Sequence, residues 1–247
     1  MLSLGQTYRA VVIGSSGSIG AAFVSALRAD PACTEVVEIS RALNPEFALE
    51  DEASIRRVAS KAQSHGPFGL IVDATGALTI DGVGPEKHLG ALDPQRLMRS
   101  FQVNTIGPAL LLKHFLPLLS HERAIYAKLS ARVGSISDNK KGGWYGYRAS
   151  KAAFNMMLQT AAIELARKNP RAILAALQPG TVQSTLTKPF VSQDSLLTPQ
   201  QSVAGLLQAL DCLGLEAQSS NMNQTLTPDR EHIGAYFIDY QGKEIPW

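Results

Sequence analysis

Short apolar runs alternate with longer amphipathic stretches along the chain, an order that few folds accommodate. The runs fall at residues 8–13, 36–39, 68–73, 124–129, 172–177 and 236–239. Between them, spacing predicts helices over about 18–29, 52–65, 94–104, 105–120, 145–168 and 199–213. Parallel strands joined by helical crossovers are the economical solution, so the expected fold is α/β, with a doubly wound parallel sheet. A chain of 247 residues that is 45% hydrophobic can bury one large core, and a single domain over 1–247 is expected. The polar stretch 218–230 reads as a surface excursion before the last strand.

The first run ends in Gly14-Ser15-Ser16-Gly17-Ser18-Ile19-Gly20, which opens the first helix. Glycines at this spacing let the backbone approach a pyrophosphate, whose charge the free N–H groups of the helix start attract. Ser15, Ser16 and Ser18 add hydroxyl donors. A strand-to-helix turn that binds nothing is the plainer alternative. At the end of the second run, Ser40-Arg41 suits a 2′-phosphate, because arginine pairs with it and serine hydrogen-bonds it. NADP is therefore preferred over NAD, with Glu38 as the alternative cofactor sensor and Arg41 then a solvated surface residue.

Tyr147 and Lys151 lie four residues apart, so a helix places phenol and ammonium on one face. A nearby cation favours the phenolate and lets such a tyrosine exchange a proton with a substrate oxygen. Tyr145 has Ala149 at the matching position and lacks the cation.

Charge and composition narrow the remaining classes. Net charge is +2, and no basic run exceeds Lys140-Lys141, so a nucleic-acid partner is not expected and a small molecule is. Cys33 and Cys212 have no metal-type spacing and read as buried thiols of a reducing compartment; no metal site is expected. No apolar run approaches about 18 residues, so no membrane partner is expected and a cytoplasmic location is.

Together, Gly14 to Gly20, Asn104 within Val103-Asn104-Thr105, Tyr147 with Lys151, and Pro179-Gly180-Thr181-Val182-Gln183-Ser184 resemble the short-chain dehydrogenase/reductase family. The branch is that of the C-factor-like and sniffer-like carbonyl reductases. The resemblance implies NADPH-dependent interconversion of a ketone or aldehyde and its alcohol, with Tyr147 as general acid/base. It gives Lys151 the nicotinamide ribose and the lowering of the tyrosine pKa. Asn104 would sit at a local break in a helix and anchor a relay water, or alternatively be a helix N-cap. Pro179, Gly180, Val182 and Ser184 would hold the nicotinamide carboxamide, and a substrate flap would follow at about 185–198. The long helices beginning near 105 and 145 imply a homodimer or homotetramer.

Three departures accompany the resemblance. Family members commonly place two adjacent serines where this chain has Ser130-Ala131, so the carbonyl-polarising hydroxyl is Ser135, Ser130 or neither. Asp73-Ala74-Thr75-Gly76 stands where Asn-Asn-Ala-Gly is usual, so the asparagine's structural hydrogen bonds must come from elsewhere, while Ala74, Thr75 and Gly76 still border the adenosine ribose. Ala48 replaces an aspartate that often contacts adenine. The altered serine also leaves open a regulatory protein of the C-factor type, which binds dinucleotide with little or no turnover.

Overall fold

The computed structural model describes residues 1–184, 187–188, 196–214 and 234–247. The stretch 218–230 and most of the expected flap, 185–186 and 189–195, lie outside the described residues. Six parallel strands form one sheet: β1 (Tyr8–Ile13), β2 (Cys33–Ile39), β3 (Leu70–Asp73), β4 (Ala124–Leu129), β5 (Ala172–Gln178) and β6 (Tyr236–Asp239). Their spatial order is β2-β1-β3-β4-β5-β6. The chain therefore winds outward in both directions from β1, and the strand ends of β1 and β3 flank the switch point where α/β sheets bind ligands.

Helices cover both faces: α1 (Ser18–Ala29), α2 (Glu52–Gln63), α3 (Pro94–Phe101), α4 (Gly107–Phe115), α5 (Tyr145–Leu165) and α6 (Pro199–Cys212). The two-residue period of β1 sends Val11 and Ile13 into the layer beneath α2, α4 and α5, where Phe115, Phe154 and Leu158 lie. Ala10 and Val12 face the opposite layer, with Phe23 of α1 and Leu206 of α6. Each fully buried Leu or Phe contributes about 1.5–3 kcal/mol, so these two layers dominate the favourable side of folding.

Local chemistry sets several helix starts. Asp51 caps α2 by accepting from Ala53 N–H at 2.9 Å, and Asp93 caps α3 by accepting from Arg96 N–H at 2.9 Å. Thr198 and Gln201 form a reciprocal capping box at α6, followed by Pro199 in the first turn. The expected boundary between two helices near residue 104 takes a particular form, a π-helical turn over Gln102–Ile106 that joins α3 to α4. Pro108 lies four residues after Asn104 and has no N–H to return to its carbonyl, which accounts for the widened turn.

The thiols differ from expectation. Cys33 is half-buried on edge strand β2 and Cys212 is exposed at the end of α6, so neither is a buried core thiol. Cys33 begins a strand flanked on one side only, and Cys212 falls on the outer face of its helix. Among the described residues no helix is long and apolar enough to cross a membrane.

Candidate active site

The turn after β1 is tightly built. Gly14 has φ +84°, and a Cβ there would lie 3.0 Å from the Ala74 carbonyl carbon. At Gly20 a Cβ would come within 2.1 Å of the Gly14 oxygen, so no other residue fits without moving the turn. Helix α1 is preceded by Gly17, has no side-chain cap and carries no acidic residue in its first turn, which leaves its N–H groups and positive dipole end open. Ser16, Gly17 and Ser18 are exposed, Ile19 is half-buried, and Ser15 is buried with an Oγ that finds no hydrogen-bond partner among the described residues. An open helix start, a glycine cradle and an orphaned hydroxyl together fit a pyrophosphate.

The end of β2 leads to Ser40, which is buried, and Arg41, which is exposed and makes no ion pair among the described residues. Glu38 is bound instead by Arg28 of α1 at 2.6 Å.

Next to the glycine turn, the loop after β3 carries Gly76 against two polar groups. A Cβ at Gly76 would stand 3.1 Å from Asn104 Oδ1 and 3.2 Å from Lys151 Nζ. Asn104 is fully buried in the π-turn, and its amide exchanges two 2.9 Å hydrogen bonds with the backbone of Ala77, donating to the carbonyl and accepting from the N–H. The side chain therefore secures the loop, and it is no N-cap.

Tyr147 and Lys151 share a face of α5 as their spacing requires. Lys151 Nζ lies 5.7 Å from the Tyr147 ring centre and donates to the Leu129 carbonyl at 3.1 Å. Burial pushes the Tyr147 phenol up to about 12. Burial also pulls Lys151 down to about 7, the charge of Lys128 adds to that effect, and Asp73 opposes it. Desolvation thus outweighs the expected cation effect on the phenol in this state. Tyr147 Oη makes no hydrogen bond among the described residues, and Tyr147 lines a cavity of about 340 Å³ with Leu78, Glu86, Arg96 and Ser100. Glu86 accepts from Gly146 N–H at 2.9 Å, and the Trp144 ring stands edge-on to Tyr147 with centres 6.2 Å apart.

The two candidate serines have different commitments. Ser130 Oγ donates to Asn155 Oδ1 at 2.7 Å, which spends its proton inside the protein. Ser135 Oγ accepts from Asp138 N–H at 3.0 Å, which leaves its own proton available. Beyond β5, the stem of residues 181–183 is joined to Leu197 through a parallel bridge at Val182. Pro179 accepts from Ser202 Oγ at 2.6 Å, Gly180 has φ +78°, and Ser184 Oγ sits 3.1 Å from Thr187 Oγ1.

Asp73, noted in sequence for replacing an asparagine, has a partner that the sequence reading did not assign to it. Asp73 and Lys128 are both fully buried and form an ion pair at 3.0 Å. Lys128 Nζ also donates to Thr75 O at 2.6 Å and Thr75 Oγ1 at 3.0 Å, and lies 5.8 Å from the Phe154 ring centre. Asp73 Oδ1 accepts from Thr75 N–H at 2.9 Å and Thr75 Oγ1 at 2.6 Å, and Oδ2 from Tyr126 at 3.4 Å. Burial pulls the Lys128 pKa down, but three oxygen acceptors hold its ammonium. These bonds do the work expected of the missing asparagine. The sequence signal was a lysine near the end of a fully buried strand, with an aspartate at the end of another.

The family model described as short chain dehydrogenase matches residues 8–195. The chain belongs to that family, and is thereby an NAD(P)-dependent dehydrogenase/reductase acting on small molecules. It is 33% identical over 172 residues to a 1-hydroxy-2-glutathionyl-2-methyl-3-butene dehydrogenase of Rhodococcus sp. strain AD45, covering 69% of this chain and 72% of the relative. It is 34% identical over 184 residues to C-signal of Myxococcus xanthus, covering 74% and 94%. In fold it is similar to carbonyl reductase Sniffer of D. melanogaster, with TM-score 0.77 and 20% identity over 98% of this chain and 100% of the other. An NADPH-bound carbonyl reductase from chicken fatty liver gives TM-score 0.76 and 21% identity, covering 98% and 95%.

Proposed function

We propose that this protein reduces a ketone or aldehyde with NADPH, Tyr147 protonating the carbonyl oxygen. The observation that carries the reading is the Tyr147 phenol: it borders the cavity, has no hydrogen bond among the described residues, and is held protonated up to about 12. A phenol in that condition is a proton donor, which favours reduction over alcohol oxidation near neutral pH. The bound dinucleotide supplies the hydride. Ser135 polarises the carbonyl with its uncommitted proton, and Lys151 faces the phenolate that the transfer leaves behind, replacing its proton from the ammonium form. Asn104 keeps residues 76 and 77 against that lysine.

For the cofactor, the glycine turn from Gly14 to Gly20 holds the pyrophosphate. Ala74 to Gly76 border the adenosine ribose, Ser40 and Arg41 hold a 2′-phosphate, and the stem from Pro179 to Ser184 receives the carboxamide. The engagement of Glu38 by Arg28 supports Arg41 as the sensor. The whole chain acts as one dinucleotide-binding domain and assembles as a homodimer or homotetramer. Similarity to C-signal favours a second reading, a dinucleotide-binding regulatory protein with little turnover. Turnover of NADPH with aldehydes, ketones and diketones, lost in Tyr147→Phe, separates the two. Binding without turnover across the panel would select the regulatory reading.

A further inference from the structure

Lys128 is a fully buried cation that the proposed chemistry leaves without a role. It faces Asp73 in register across β3 and β4, and the pair meets at 3.0 Å. The same ammonium holds the Thr75 carbonyl and hydroxyl, and Thr75 returns its N–H and hydroxyl to Asp73. A Cβ at the next residue, Gly76, would crowd Asn104 Oδ1 and Lys151 Nζ, and Ala77 is paired twice with the Asn104 amide. A hydrogen-bonded set therefore runs from Lys128 through Asp73 and Thr75, and the chain continues from Thr75 into Gly76, which leaves no room for a side chain beside Lys151 Nζ.

Holding a strand-end loop does not require charge. A neutral amide at 73 opposite an apolar side chain at 128 would bond the loop without desolvating two ions, which is the expensive part of a buried pair. What the charges add is a field at Lys151. The ionisable groups that bear on that lysine are Asp73 from β3, Lys128 from β4 and Tyr147 from α5, with Tyr126 of β4 hydrogen-bonded to Asp73. Asn104 and Phe154 bring no charge.

We propose that Asp73 and Lys128 are a positioning pair for the proton relay, which locks residues 74–77 against Asn104 and Lys151 and sets how readily Lys151 gives up its proton. The inference rests on Lys151 as the catalytic lysine of the proposed function. The two charges act in opposite senses. Lys128, a like charge, disfavours the Lys151 ammonium, while Asp73 favours it, and Lys128 has the larger influence. Burial is the largest cause that brings Lys151 down to about 7, and the two charges adjust it from there.

The test is a 13C NMR titration of the full chain labelled at lysine Cε, with the Lys151 signal assigned by its loss in Lys151→Arg. Lys128→Met raises the Lys151 midpoint by about one pH unit, Asp73→Asn lowers it, and Asp73→Asn/Lys128→Met lies above the parent but below Lys128→Met. A role confined to holding the loop leaves the midpoint unmoved in every folded variant, which overturns the proposal. If each single variant, with one buried charge uncompensated, fails to fold, the charge-free double variant decides by the same criterion. Failure of the double variant to fold assigns the pair to the fold alone and also overturns the proposal. The midpoint needs no turnover, so it is independent of the catalytic reading. Retained NADPH oxidation in Tyr147→Phe and Lys151→Arg across the carbonyl panel would sink that reading separately.

Discussion

The Lys151 ammonium stands over the face of the Tyr147 ring, 5.7 Å from its centre, and makes its hydrogen bond to the Leu129 carbonyl. The lysine is thus fixed by the end of β4, close enough to act on the phenol through charge without being tied to its oxygen. A cation over an aromatic face is itself attractive, by about 0.5–2 kcal/mol depending on solvation.

That geometry gives a pH dependence. Lys151 is charged below about 7 and neutral above it, whereas Tyr147 keeps its proton to about 12. Reduction needs both the protonated phenol and the ammonium that replenishes it. The profile of kcat/KM for carbonyl reduction is therefore level below about 7 and falls about tenfold per pH unit above it. A profile rising through that range would contradict the assigned role of Lys151.

Ser130 and Ser135 separate by what their protons do. Ser130→Ala leaves buried Asn155 Oδ1 without its donor, so it costs about 1–2 kcal/mol of stability and spares kcat. Ser135→Ala lowers kcat about a hundredfold, the usual loss when one donor to a developing oxyanion is removed. Thermal melts and steady-state kinetics on both variants check the pair, and the opposite pattern would move the role to Ser130.

In the proposed reading, Arg41 is the residue that selects the cofactor. In Arg41→Asp a carboxylate replaces the cation at the 2′-phosphate, so the ratio of kcat/KM for NADPH to that for NADH falls at least about tenfold. Unchanged selectivity, together with a change in Glu38→Gln, would place the sensor at Glu38.

Large apolar side chains remain on the surface near the helices that begin close to residues 105 and 145. Ile106 is 45% exposed and Met156 66%. If subunits meet there, the parent sediments as a dimer or tetramer, and Ile106→Glu with Met156→Glu yields a monomer. A monomeric parent at micromolar concentration would remove the interface.

Periodicity made most of this architecture legible, because each strand is a compact apolar run and each helix a regular amphipathic one. Strand β2 begins three residues before its apolar run, since Cys33-Thr34-Glu35 lies at a sheet edge where half-burial permits polar side chains. The end of the helix near residue 115 came early because Pro117 enters a tighter turn. The tyrosine and lysine were readable through i,i+4 geometry, which needs no tertiary knowledge. Asp73 and Lys128 were not, because only the register of β3 on β4 brings together residues 55 apart in sequence. For a related reason, sequence shows the cation beside Tyr147 but not the burial that pushes the phenol up to about 12.

The most direct test follows NADPH absorbance for the parent and for Tyr147→Phe against aldehydes, ketones and diketones, with NADH in parallel and cofactor affinity measured for both proteins. The account predicts turnover in the parent with NADPH preferred, at least about a hundredfold loss in Tyr147→Phe, and unchanged NADPH affinity. Undiminished turnover in Tyr147→Phe would contradict it.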